Sequence, residues 1–242
     1  MILTLKVYFY NPDILVEPMM ANFIKTILNL FFKPDCPLCD RPAEKQLCLY
    51  CQKQILRCQF SRGSQFLGDV PVLIWGQYKG MLKQAIVTLK YNNHPEIAQP
   101  LGYWLADAWL KTPTVQNKPL LVVPIPMFPE KQKKRGFNQA ELLARSFCQV
   151  TGLPLKSQGL ERVRDTQAQF GLSAQQRQEN LKDAFCLGKD LRRQTQTHSI
   201  LIVDDIYTTG ATVKAAIAAF REHKIAVAGV VAIATTKSIS EQ

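Results

Sequence analysis

Apolar positions recur along the chain with two periods, and the switching between them predicts most of the fold. Phe23, Ile27, Leu30 and Phe31 fall at helical spacing after Met20, which predicts a short amphipathic helix. Val70 to Tyr78 reads as a strand, followed by helices from about Gly80 to Lys90 and from about Glu96 to Leu110. Beyond a polar connection at Lys111 to Lys118, Leu120 to Pro126 is a short apolar run that stops at prolines, as a buried parallel strand does. Asn138 to Thr151 is predicted helical, with Ala140, Leu143, Ala144 and Phe147 on one face. Ser199 to Asp205 and Ala226 to Ala234 are two further apolar strands flanking a helix at Thr212 to His223. Strands that alternate with helices predict an α/β fold, a parallel sheet with crossover connections.

The ends of the pattern suggest three parts. Residues 1–19 hold two prolines and no helical period, and are expected to be a leader, with translation beginning at Met20. Residues 20–62 contain the amphipathic helix and a Cys-rich module; residues 63–242 form the α/β domain. The longest apolar stretch, Ile27 to Phe32, is broken at Asn29, well short of the ~18 residues a membrane span needs. The N-terminus lacks the order of segments of a signal peptide, so the cytoplasm is the expected compartment.

Composition adds a partner class. Hydrophobic residues make up 47% and charged residues 20%, which fits a packed core and excludes a disordered chain. The formal charge is +11, which points to something anionic, a nucleic acid, a phosphorylated metabolite or an acidic membrane face. A protein that is merely basic remains the alternative. Residues 119–199 carry 13 basic against 7 acidic side chains, so the middle of the chain is where an anion is drawn.

Five of the seven cysteines lie between Cys36 and Cys58. Cys36-Pro37-Leu38-Cys39 and Cys48-Leu49-Tyr50-Cys51 are two C-x-x-C knuckles eight residues apart. A knuckle lets two thiolates reach one metal from a tight turn, and two of them close a tetrahedron around Zn²⁺ with no open position. The zinc is therefore expected to be structural. Redox pairs are the competing reading, but neither knuckle sits in a βαβ pattern. Cys58 is read as a bystander, and Cys148 and Cys186 as buried thiols. So small a module should take most of its folding free energy from the metal, and chelation is expected to unfold it alone.

The most informative stretch is Ile202-Val203-Asp204-Asp205-Ile206-Tyr207-Thr208-Thr209-Gly210-Ala211-Thr212. A loop entering a helix presents free N–H groups and the positive end of the helix dipole, a seat for phosphate. Gly210 permits close approach, and Thr208, Thr209 and Thr212 offer hydroxyl donors beside Ala211. Asp204 and Asp205 at the carboxyl end of a strand can accept from a vicinal diol, directly or through Mg²⁺. A ligand with both a diol and a phosphate is a ribose 5-phosphate. This stretch resembles the phosphoribosyl-diphosphate (PRPP) signature of type I phosphoribosyltransferases, which implies two acids on the ribose hydroxyls and the Thr-Gly loop on the 5-phosphate.

Lys131, Lys133, Lys134 and Arg135 place four cations in five positions, a basic loop leading into a helix. Such a field suits phosphate or a nucleic-acid backbone, although Lys131 and Lys133 read equally well as a solvated surface. Arg135 and Lys90 are candidates for the pyrophosphate; Lys131, Lys133, Lys134 and Arg164 are candidates for nucleic acid. A second unusual stretch, Arg162 to Phe185, is rich in Gln and Arg, with Ser173 a plausible N-cap. Leu89-Lys90-Tyr91, Pro124-Ile125-Pro126, Arg135-Gly136-Phe137-Asn138-Gln139-Ala140, Arg164-Asp165-Thr166, Gln169, Leu172-Ser173, Arg177 and Asn180, with the paired knuckles and the PRPP loop, together resemble the ComF family. The resemblance implies a type I phosphoribosyltransferase-like sheet with flanking helices behind a Cys₄ zinc module. It also implies structural Zn²⁺, PRPP with Mg²⁺, and work in natural transformation on incoming single-stranded DNA beside a helicase and recombination proteins.

Two functions stay open at this level. One is a transferase moving ribose 5-phosphate from PRPP to an acceptor of nucleotide or related metabolism. The other is a single-stranded DNA binder that uses the same fold as a phosphate site, with Tyr78, Tyr91 and Trp104 available to stack bases, although Trp104 fits a core position better. A partner module without a ligand leaves the acidic pair unexplained.

Overall fold

The computed structural model describes residues 34–61, 64–112, 119–165, 183–192 and 198–237. The leader, Met20, the helix expected after it, and Thr166, Gln169, Leu172, Ser173, Arg177 and Asn180 lie outside the described residues.

The elements follow the predicted order. Helix α1 (Leu49–Leu56) closes the Cys-rich segment, strands β1 (Ser64–Leu67) and β2 (Val70–Gln77) form a hairpin, and α2 (Gly80–Tyr91) and α3 (Ala98–Leu110) follow. Strand β3 (Leu120–Pro124) leads to α4 (Pro129–Arg135) and α5 (Gln139–Thr151). A small pair, β4 (Leu160–Arg162) and β5 (Phe185–Leu187), precedes β6 (Ser199–Tyr207), α6 (Ala211–Glu222) and β7 (Val227–Thr235). The main sheet has the order β1-β2-β7-β6-β3, and β4 and β5 make a separate two-stranded sheet. Within the main sheet β2, β7, β6 and β3 are parallel, and β1 adds an antiparallel edge.

The parallel strands are apolar on both faces because helices cover both. Leu201 and Val203 face one core with α2, α3 and α5, including Leu82, Ile86, Leu105 and Phe147. Ile200 and Ile202 face the other with α6, including Val213, Ile217 and Phe220. Among the described residues no helix is long and apolar enough to cross a membrane.

Three boundaries differ from the sequence reading. The acid-bearing strand runs two residues further, to Tyr207, because β7 continues beside it and pairs Ile206 with Ala234 and Tyr207 with Thr235. The basic stretch read as a loop is instead the helix α4. Pro129 and Glu130 open it, Lys133 to Arg135 offset the dipole at its end, and Gly136 at φ 88° stops it. The helix expected from Glu96 starts as a 3₁₀ turn at Pro95–Ile97.

The Cys-rich segment has no core of its own. Cys36, Leu38, Leu47, Cys51 and Ile55 belong to the same buried cluster as Trp75, Leu82 and Leu89. The chain leaving α1 is stitched to β2 by Phe60 N–H donating to Trp75 O (3.0 Å) and Gln77 N–H to Cys58 O (2.8 Å). Gly76 is required there, since a Cβ would lie 2.6 Å from Cys58 O. The Trp104 ring stacks on buried Trp75 at 5.9 Å, a core role rather than a free platform.

Candidate functional site

The first knuckle is a turn in which the N–H groups of Cys39 and Asp40 donate to Cys36 O at 3.1 and 2.9 Å. The second is the start of α1, where the Cys48 Sγ accepts from Cys51 N–H at 3.5 Å. The four sulfurs of Cys36, Cys39, Cys48 and Cys51 lie within 4.8 Å of one another. A tetrahedral zinc with ~2.3 Å bonds separates its sulfurs by about 3.8 Å, so the cage fits with small adjustment. All four positions would be filled by protein, and the metal would hold the fold rather than catalyse. Burial raises the Cys39 and Cys51 thiols. Burial also acts on Cys48, but the Cys51 N–H and the neighbouring thiols outweigh it and bring it to about 7. Cys58 lies apart, with its Sγ directed to Gln54 O and Lys79 O. Cys148 is partly buried, its thiol pushed up to about 12, and inert by that measure.

The second centre sits where the sheet changes hand. After β3 the chain passes to α5 on one face, and after β6 to α6 on the other. Adjacent strands whose exits diverge leave a crevice at their carboxyl ends, where open α/β sheets bind ligands. Pro124 ends β3 on that rim, and Ile125 N–H reaches Val203 O at 2.9 Å. Asn138 ties the rim to α5: its amide donates to Ile125 O at 3.0 Å while its Oδ1 caps Ala140 N–H at 3.1 Å.

Asp204 and Asp205 are only 7% and 5% exposed, because both lie within β6 rather than beyond its tip. Neighbouring strand residues face opposite ways, and the two carboxylates meet different surroundings. Asp205 forms an ion pair with Lys90 of α2 at 2.5 Å. Burial raises the Asp205 carboxyl, but Lys90 outweighs it and holds it below the usual carboxylate range. Burial lowers the Lys90 ammonium, and Asp205 more than restores it. Asp204 has no such contact: burial and the charge of Asp205 push its carboxyl well above the usual range. Lys90 and Arg162 of β4 act on it at longer range.

The Thr-Gly bend follows directly. Gly210 has φ 79° and caps α6, and its Cα sits on Tyr207, whose hydroxyl would lie 2.5 Å from any added Cβ. Thr209 Oγ1 accepts from Ala211 N–H at 3.4 Å. Among the described residues, the N–H groups of Thr208, Thr209 and Gly210 donate to nothing. Thr208, Thr209, Ala211 and Thr212 are half-buried at the mouth of the twelve-residue helix.

The candidate cations divide into two sets. Lys90 is in contact with Asp205, while Arg135 lies over the ring of Tyr91, the residue after Lys90, at 5.3 Å and donates to Gln139 at 2.5 Å. Lys131, Lys133 and Lys134 are exposed on α4, and Lys131 pairs with Asp165 beside exposed Arg164 at 2.5 Å. Sequence reasoning missed Arg162 and Tyr207 as the floor of Gly210; Tyr78, read there as a stacking platform, is instead acted on by Lys90, Tyr91 and Asp205. A signal existed for Arg162: it lies two residues after buried Leu160 on one strand face.

The family model described as "Phosphoribosyl transferase domain" matches residues 88–241. Among curated proteins, the chain is 31% identical to Competence protein F of Haemophilus influenzae over 70% of this chain and 82% of that one. It is 30% identical to DNA utilization protein YhgH of Escherichia coli O157:H7 over 74% of this chain and 80% of that one. It is 28% identical to Competence protein ComFC of Bacillus subtilis over 73% of this chain and 67% of that one.

Proposed function

Because the chain belongs to the ComF family of phosphoribosyltransferase-domain proteins, we propose that it binds PRPP at the β6–α6 turn and serves the uptake of DNA. The observation that carries the ligand is the sequence of chemistry along one turn. Two carboxylates at the carboxyl end of β6 are followed by three undirected N–H groups and then by the positive end of a twelve-residue helix. The acids suit a diol, the bend suits a phosphate, and their spacing on one chain suits a sugar that joins the two. Arg135, held over the ring of Tyr91, is the cation we assign to the pyrophosphate end, and Mg²⁺ would supply charge neutralisation when bound.

Nucleic acid belongs to a different surface. Lys131, Lys133, Lys134 and Arg164 face solvent on α4 and after β4, and support a track for the backbone of single-stranded DNA in the cytoplasm. Supporting this reading, two of the relatives carry competence in their names and one DNA utilization.

Calorimetric titration of PRPP with Mg²⁺ into the full chain and into Asp204→Asn/Asp205→Asn tests the pocket. Saturable binding to the first and none to the second is expected. Equal binding to both overturns the assignment.

A further inference from the structure

The two acids look equivalent in the sequence, but their oxygens are not equally available. Asp205 Oδ1 accepts from Ile206 N–H at 2.8 Å, and Oδ2 faces the Lys90 ammonium at 2.5 Å. Asp205 thus has a cation in contact with it. Asp204 Oδ1 accepts from Asp205 N–H at 2.8 Å, its carboxyl lies against that of Asp205, and among the described residues no cation is in contact with it. Lys90 reaches this position from the last turn of α2, between fully buried Leu89 and the Tyr91 ring that carries Arg135. Its side chain is 15% exposed and that of Asp205 is 7% exposed, so solvent competes poorly for either.

Two adjacent carboxylates without a counter-ion are a ready seat for a hard divalent cation, which seeks anionic oxygens. An ammonium in contact halves the charge of the pair and fills the approach to one of its acids. We infer that Lys90 is the resident counter-ion of Asp205, a positioning residue that keeps free divalent cations off the pair and leaves Asp204, which has no cation in contact among the described residues, as the acid offered to a ribose hydroxyl. The exclusion of metal stands on the ion pair alone; the role of Asp204 rests on the phosphoribosyl reading above. Lys90 then acts within the protein, rather than on the pyrophosphate as its sequence position suggested.

The test titrates Mn²⁺ alone into the full chain, with free Mn²⁺ read by electron paramagnetic resonance. Lys90→Met, or Lys90→Gln should the first fail to fold, is expected to bind Mn²⁺ at least tenfold more tightly than the parent. Lys90→Arg should show no gain, and Lys90→Met/Asp205→Asn should lose it. A folded Met or Gln variant that takes up no more Mn²⁺ than the parent overturns the counter-ion role. In PRPP titrations Asp204→Asn should lose at least tenfold more affinity than Asp205→Asn, and equal losses overturn the division between the acids. If the parent binds no PRPP, the phosphoribosyl reading and the role of Asp204 fall together, while the Mn²⁺ result still decides the role of Lys90.

Discussion

The molecule crowds acidic groups in two places and neutralises them in opposite ways. In the Cys-rich segment four sulfurs lie within 4.8 Å, and what acts on Cys39, Cys48 and Cys51 is burial, backbone N–H groups and the other thiols. At the end of β6 two carboxylates are also buried, yet a lysine from α2 is in contact with one of them. The first cluster can ionise fully only when a cation arrives from outside; the second is largely balanced before any ligand comes. One centre would therefore be completed by a metal during folding, and the other is completed by the fold.

Removing the metal should give the largest effect. Structural zinc contributes on the order of 10–16 kcal/mol in small finger peptides, and here its ligands share a core with Trp75, Leu82 and Leu89. Protein purified without chelator is expected to hold one zinc per chain, and chelation to lower the melting temperature of the whole fold in one transition. Tryptophan fluorescence should report it, because Trp75 and Trp104 stack beneath that segment. Two transitions with the larger one unmoved would restore the independent module expected from the sequence.

What could be read from the residues beforehand follows the same division. The knuckles were legible because their ligands are local, two pairs in one short segment. The strands β3, β6 and β7 were legible because burial on both faces leaves continuous apolar runs. The Asp205–Lys90 pair was not, since it joins two elements far apart in the chain that only the sheet order brings together. The sharing of one core between Cys51 and Leu89 was hidden for the same reason. Helix α4 was misread because its seven residues bury nothing and so carry no apolar period.

The two acids should answer the same substitution with opposite signs. Asp205 has a depressed carboxyl, so its contribution is present above the ordinary range and is lost as pH falls through the lowered value. Asp205→Asn leaves Lys90 enclosed without an anion and should cost about 3–5 kcal/mol at neutral pH. Asp204 has a raised carboxyl, so the stability of its neutral form is full at low pH and is lost as pH rises through the raised value. Asp204→Asn imitates that neutral form and should stabilise by roughly 1–3 kcal/mol at neutral pH, fading as the solution is acidified toward the ordinary carboxylate range. Urea unfolding of both variants at several pH values checks the signs. A loss of stability in Asp204→Asn at neutral pH would make the acids equivalent after all.

The smallest effect on stability should come from the charges that neither centre uses. Lys133 and Lys134 are exposed on α4, whose last turn they share with Arg135. Changing both to Ala removes two favourable interactions with the helix end, each screened by water, so stability should move by no more than ~0.5 kcal/mol. Binding to single-stranded DNA should respond out of proportion to that. Each phosphate neutralised releases a counterion, and for single strands the slope of log K against log salt changes by about 0.7 per contact. Loss of both lysines should therefore flatten that slope by about 1.4 in electrophoretic shifts between 50 and 200 mM salt. PRPP binding should be unchanged, because Lys90, not either of these two, is in contact with the acidic pair. An unaltered slope would leave Lys133 and Lys134 as partners of the helix dipole alone, and would move the search for the nucleic-acid surface to the other basic side chains between residues 119 and 199.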